Sequence, residues 1–160
     1  LARYDGVIVA DSVGLGKTWI GKKLLEDTAY HQRLKAVVIC PASLRNMWRQ
    51  ELGEAAIQAY IVSQEQLGID DFTGREYFDA DIFLIDEAHN FRNRRTKRYM
   101  TLENILAANG SRGRDGQRKK VILLTATPIN NNIRQQPHLF CVGRYWRRLQ
   151  IFPRRPPRID

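Results

Sequence analysis

Two stretches of the 160-residue chain carry side chains whose types and spacing suit phosphate chemistry. The first is Asp11-Ser12-Val13-Gly14-Leu15-Gly16-Lys17-Thr18, which follows an apolar run and leads into a helix-period segment through Ile20, Leu24 and Leu25. Gly14 and Gly16 let the backbone curl so that the N–H groups around Leu15 face inward, and the following helix adds the positive end of its dipole. A triphosphate needs this arrangement, with Lys17 reaching its β- and γ-phosphates and the Thr18 hydroxyl ligating Mg2+. Asp11 stands where the general pattern GxxxxGK[ST] has its first glycine. The letters alone therefore also fit a glycine-rich turn with a surface lysine.

The second stretch, about seventy residues later, is Ile82-Phe83-Leu84-Ile85-Asp86-Glu87-Ala88-His89. Two adjacent acids at the carboxyl end of a buried strand are costly unless they meet a cation or water. In an open α/β sheet that edge also carries the phosphate loop, so Asp86 is expected to hold the Mg2+ shell and Glu87 to polarise an attacking water. An exposed acidic helix start would give the same four letters.

Positioning these groups requires strands that end at a common edge. Val7–Ala10, Ala36–Cys40, Ile82–Ile85 and Val121–Leu124 are short apolar runs without period-2 alternation, the pattern of parallel strands covered on both faces. Ala59–Val62 is a weaker fifth candidate. Helix-period segments lie between them. Ser43 is placed to cap a helix whose Leu44, Met47, Trp48 and Leu52 share a face, and Tyr99, Leu102, Ile105 and Leu106 repeat the pattern later. Trp19, Trp48 and Tyr99 fall at helical spacing among aliphatics and read as core. The alternation predicts a doubly wound α/β domain with a mainly parallel sheet and helices on both faces. Asn109–Gln117, glycine-rich and basic, reads as an exposed, mobile loop, and residues 141–160, rich in Pro and Arg, as a poorly ordered basic tail.

Composition sets outer bounds. With 43% hydrophobic and 27% charged residues the chain is an ordinary globular sequence, neither disordered nor a disulfide scaffold. Cys40 and Cys141 lack metal-site spacing and suit a reducing compartment, and no apolar run approaches the roughly 18 residues of a membrane span. The expectation is an intracellular protein without a membrane partner, cytoplasmic or nucleoid-associated. The net charge of +9 is regional: residues 1–91 hold 9 Lys/Arg against 14 Asp/Glu, and residues 92–120 hold 10 against 2. A basic second half points to a phosphate backbone, with Arg92, Arg94, Arg95, Lys97 and Arg98 just after the paired acids as its first contacts. A solvated charged face is the competing reading of that run.

Taken in order, GLGKT, VVICPASLRNMWRQEL, IVSQEQL, LIDEAHNFRN and LLTATPINN resemble the first RecA-like lobe of superfamily-two helicases, and within them the Swi/Snf-like DNA translocases, over roughly residues 5–140. That branch commonly begins its phosphate loop with an acid, as Asp11 does here. The resemblance implies a RecA-like phosphate-loop fold, an ATP- and Mg2+-dependent activity, and a duplex-DNA partner gripped by its backbone. It places Pro41, Ser43 and Ser63 along the nucleic acid. It makes His89, Thr125 and Thr127 the link between nucleotide and nucleic-acid track. It implies a second RecA-like lobe, which supplies an arginine finger, so residues 1–140 alone would bind nucleotide and hydrolyse it poorly. The motor subunit of a restriction system uses the same lobe, and a non-hydrolysing nucleic-acid-binding module would keep only the fold and basic face.

Overall fold

The computed structural model describes residues 5–10, 16–30, 33–125 and the backbone of 149–153. The apolar runs become β1 (Gly6–Ala10), β2 (Ala36–Cys40), β3 (Ala59–Ser63), β4 (Ile82–Ile85) and β5 (Lys120–Thr125), so the weak fifth candidate is a strand as well. With β6 (Leu149–Pro153) they form one sheet in the order β3-β2-β4-β5-β1-β6, every pairing parallel. Strand residues alternate between two cores because successive side chains leave a strand on opposite faces. Val38, Leu84 and Leu124 pack beneath α1 (Lys17–Leu25) and α2 (Arg45–Glu54), with Leu25, Trp48 and Leu52. Val37, Phe83 and Leu123 pack against α3 (Lys97–Ser111) through Tyr99, Leu102 and Ile105. Burial on both faces explains why the strands read as unbroken apolar runs.

β6 changes the reading of residues 141–160 as a poorly ordered basic tail at Leu149–Pro153 alone. It pairs with β1 from Gly6↔Leu149 to Ala10↔Pro153. Its apolar letters are hidden between Arg147-Arg148 and Arg154-Arg155, and Pro153 is tolerated because β6 is an edge strand. Residues 141–148 and 154–160 lie outside the described residues.

Three further expectations change. Ser43 does not cap α2: it sits in a 3-10 turn, Ala42–Leu44, and α2 follows from Arg45 without a side-chain cap. Trp19 is 65% exposed, whereas Trp48 is fully buried, because only one face of α1 meets the sheet. The Asn109–Gln117 loop is exposed but tied down: Asp115 N–H donates to Asp81 Oδ1 at 2.9 Å, Arg112 bridges Arg118, and Gly113 N–H donates to Gln117 O at 3.0 Å. Where it begins, Ala108 leaves helical geometry and Asn109 and Gly110 take positive φ, ending the regular part of α3. The orphaned carbonyls there are met by Lys119, whose Nζ donates to Ile105 O at 2.6 Å and Ala108 O at 3.1 Å. Burial pushes the fully enclosed Lys119 amine down to about 8.

Candidate active site

The rim is set by register. Ile85 of β4 pairs with Leu123 of β5, and Leu123 pairs with Ile8 of β1. Carried on by one residue, the same register brings Asp86 level with Leu124 and Val9, and at Glu87 the chain turns out of the strand. Because all these strands run parallel, the acids leave the sheet at the edge from which β1 runs toward α1. Strands two apart are separated by about 10 Å. Asp11–Leu15, including Gly14 and Leu15, lie outside the described residues. Beyond them Gly16 takes the left-handed conformation (φ 79°) that a glycine adopts without strain, and its carbonyl accepts from Ile20 N–H at 3.0 Å to open α1. Lys17 and Thr18 form the first turn of α1.

Asp86 is 5% exposed and fixed from three sides. Its backbone N–H continues the ladder to Ile39 O at 2.8 Å. Carboxylate Oδ2 accepts from the Trp48 indole Nε1–H at 3.0 Å, and Oδ1 accepts from Glu87 N–H at 2.8 Å. Its carbonyl accepts from Gln64 Nε2 at 2.7 Å, while Gln64 Oε1 accepts from Asn90 Nδ2 at 2.8 Å. A buried carboxylate with two donors, one to each oxygen, keeps further lone pairs for a cation.

Glu87 is held under backbone strain beside His89. Glu87 has φ 47° and ψ 47°, a left-handed conformation unusual for a side chain with a Cβ, and precedes a 3-10 turn, Ala88–Phe91. Its Oε2 lies 3.1 Å from His89 Nδ1, yet the two are not aligned as a hydrogen bond and each is buried without a hydrogen-bond partner. A strained backbone at Glu87, together with unmet polar atoms on its side chain and on that of His89, is characteristic of a site kept for a ligand. The arrangement fits a hydrated divalent cation and a phosphate: a locked carboxylate in Asp86, and beside it a carboxylate with a free lone pair.

The remaining expected residues divide. Thr125 is fully buried at the end of β5, level with Ala10, and Thr127 lies outside the described residues. Pro41 and Ser43 sit at the carboxyl end of β2, half-buried and exposed respectively, on the rim shared with Asp86. Ser63 is 3% exposed and engaged locally, its Oγ accepting from Gln66 N–H at 3.2 Å while Ser63 N–H donates to Gln66 Oε1 at 2.9 Å. Arg92, Arg94, Arg95 and Lys97 are exposed where the turn after Glu87 enters α3. Trp48, Gln64 and Asn90 were missed as parts of the site. Trp48 carries no signal beyond its place in an apolar stripe; Gln64, a polar residue directly after the buried end of β3, is the one that could have been found.

No family model matches the chain. The chain is 31% identical over 145 residues to the uncharacterised ATP-dependent helicase YqhH of Bacillus subtilis, covering 80% of this chain and 24% of that protein. To the SWI/SNF-related matrix-associated actin-dependent regulator of chromatin subfamily A containing DEAD/H box 1 homolog of Drosophila melanogaster it is 28% identical over 168 residues, 84% of this chain and 18% of the relative. Among solved structures, the Sulfolobus solfataricus SWI2/SNF2 ATPase core in complex with dsDNA superimposes with a TM-score of 0.64 at 22% identity, over 86% of this chain and 31% of that one. This chain thus spans a quarter or less of the length of those two curated relatives.

Proposed function

Because this chain is a Swi/Snf-like helicase lobe, with the RecA-like fold of such a core, we propose that it is the nucleotide-binding lobe of a DNA-dependent ATPase that moves along duplex DNA. The observation that carries the reading is the shared rim: strained Glu87 and locked Asp86 leave β4 at the edge where β1 leads to Gly16, Lys17 and Thr18. In this reading Gly14, Leu15 and Gly16 wrap the phosphates with backbone N–H groups, and Lys17 neutralises the outer ones. Thr18 and Asp86 hold Mg2+, which when bound offsets charge on the phosphate oxygens. Glu87 orients a water and takes its proton on Oε2, the oxygen left without a hydrogen bond. His89, Thr125 and Thr127 couple that chemistry to the nucleic acid, which Pro41 and Ser43 follow along its backbone. Ser63 supports that track from beneath through Gln66. A second RecA-like lobe completes the site, in an intracellular protein associated with DNA; among the described residues no helix is long and apolar enough to cross a membrane.

ATP hydrolysis by the full-length protein, with and without duplex DNA, tests this. DNA should stimulate turnover, Lys17→Ala should abolish nucleotide binding, and Glu87→Gln should keep binding and stop turnover. Normal turnover in either variant removes the role given to that residue, and turnover indifferent to DNA removes the motor.

A further inference from the structure

Trp48 joins two parts of the site that the chain separates by dozens of residues. It projects from the middle of α2, fully buried, and donates its indole N–H to Asp86 Oδ2 at 3.0 Å. The far edge of the same ring meets α1: a Cβ built on Gly21 would lie 3.3 Å from Trp48 Cη2. One rigid indole therefore spans from the helix that begins with Lys17 and Thr18 to the carboxylate at the end of β4. We propose that Trp48 is a positioning residue for divalent-cation binding, fixing the plane of the Asp86 carboxylate and its distance from α1.

The argument is one of donors. Glu87 N–H engages Oδ1 but belongs to a strained residue at the chain reversal, so it alone leaves the carboxylate hinged about one oxygen. The indole supplies the second donor from a different element, and a carboxylate held at both oxygens cannot swing away from a cation to which Thr18 contributes the other protein ligand. Partners that hold metal ligands commonly change metal affinity by about 10–100-fold when removed. Packing alone does not require the bond, since a phenyl ring fills most of the same space without a donor.

This inference rests on the nucleotide reading above, and its test separates the two. ADP affinity of the full-length protein is measured by calorimetry in EDTA and across a Mg2+ titration, for wild type and Trp48→Phe. The expected result is an unchanged affinity in EDTA and a Mg2+ midpoint raised about tenfold. A midpoint within about twofold of wild type overturns the positioning role, as does an equal loss of affinity with and without Mg2+, which marks a packing role only. Should Trp48→Phe fail to fold, replacing the Trp48 indole by benzothiophene swaps the N–H for sulfur at nearly constant volume, and the same two outcomes apply. Wild-type protein that binds no ADP overturns both the nucleotide reading and this one, whereas Mg2+-dependent binding in wild type with an unshifted variant overturns this one alone.

Discussion

Gly21 in α1 lies directly over Leu84 in β4, so close that a Cβ on Gly21 would stand 2.8 Å from Leu84 Cδ1 and 2.9 Å from Leu124 Cδ1. Helix α1 is seated on the sheet at this point because nothing larger than hydrogen occupies position 21. Overpacking a core costs about 1–3 kcal/mol, whereas alanine in place of glycine inside a helix gains about 0.5–1 kcal/mol. Gly21→Ala is therefore expected to destabilise by about 1 kcal/mol and to weaken nucleotide binding by lifting α1. Gly53, also helical but with nothing within 4 Å of a Cβ, is the control: Gly53→Ala should stabilise. Urea denaturation of both variants checks the pair, and equal shifts would show that α1 has room over the sheet.

Arg94 and Arg95 stand exposed between the paired acids and α3, in a turn closed by Asn93, whose Oδ1 accepts from Arg95 N–H at 3.0 Å and whose carbonyl accepts from the Thr96 hydroxyl at 2.8 Å. If they neutralise phosphates, Arg94→Ala combined with Arg95→Ala should flatten the dependence of log affinity on log salt by about 0.9 per lost contact, equally on DNA of any sequence. Titrations of duplex DNA at several salt concentrations measure it. An unchanged slope would make the run a solvated face.

The sheet and both acids were legible because parallel strands buried on two faces leave unbroken apolar runs, and because a polar pair at the end of such a run has few structural explanations. β6 was not, since a run flanked by arginines, interrupted by Gln150 and ending in proline lacks the unbroken apolar pattern of the other strands; its pairing is supplied by the edge of β1. Ser43 shows the limit of capping rules, as a 3-10 turn displaced the helix start by one residue. Trp48 shows a different limit. Periodicity says which face a tryptophan occupies, and the sequence offers no sign that its N–H will meet a carboxylate 38 positions away.

Cys40 ends β2 fully buried, and enclosure, reinforced by the negative charge of Asp86, pushes its thiol up to about 12. Against an ordinary cysteine that is about a thousandfold less thiolate at neutral pH, and thiolate is the reactive form. Alkylation by iodoacetamide at pH 8, mapped to Cys40 by mass spectrometry, should be negligible in the folded protein and should appear in step with urea unfolding. Rapid native labelling would show that the carboxyl end of β2 opens without global unfolding.

Lys119 offers the clearest pH dependence. Its amine, enclosed above the Phe83 ring and against the last carbonyls of α3, has a folded pKa of about 8 against an ordinary 10.5, because burial disfavours the ammonium more than Asp79 and Asp81 favour it. Between those two values the unfolded chain binds more protons than the folded one, so the contribution of Lys119 to stability rises as pH climbs through that window. Below about 8 both forms are protonated and the cost of burying the charge is constant. Lys119→Met keeps an unbranched apolar stem but has nothing to titrate. Wild type should therefore gain on this variant by about 1–3 kcal/mol as the pH is raised from 8 to 10.5, in denaturant titrations at each pH. The difference, not either curve alone, is the measurement, since other lysines and tyrosines titrate in both proteins and cancel. A flat difference would mean that water reaches the amine and that the carbonyls of Ile105 and Ala108 are capped by a solvated ammonium.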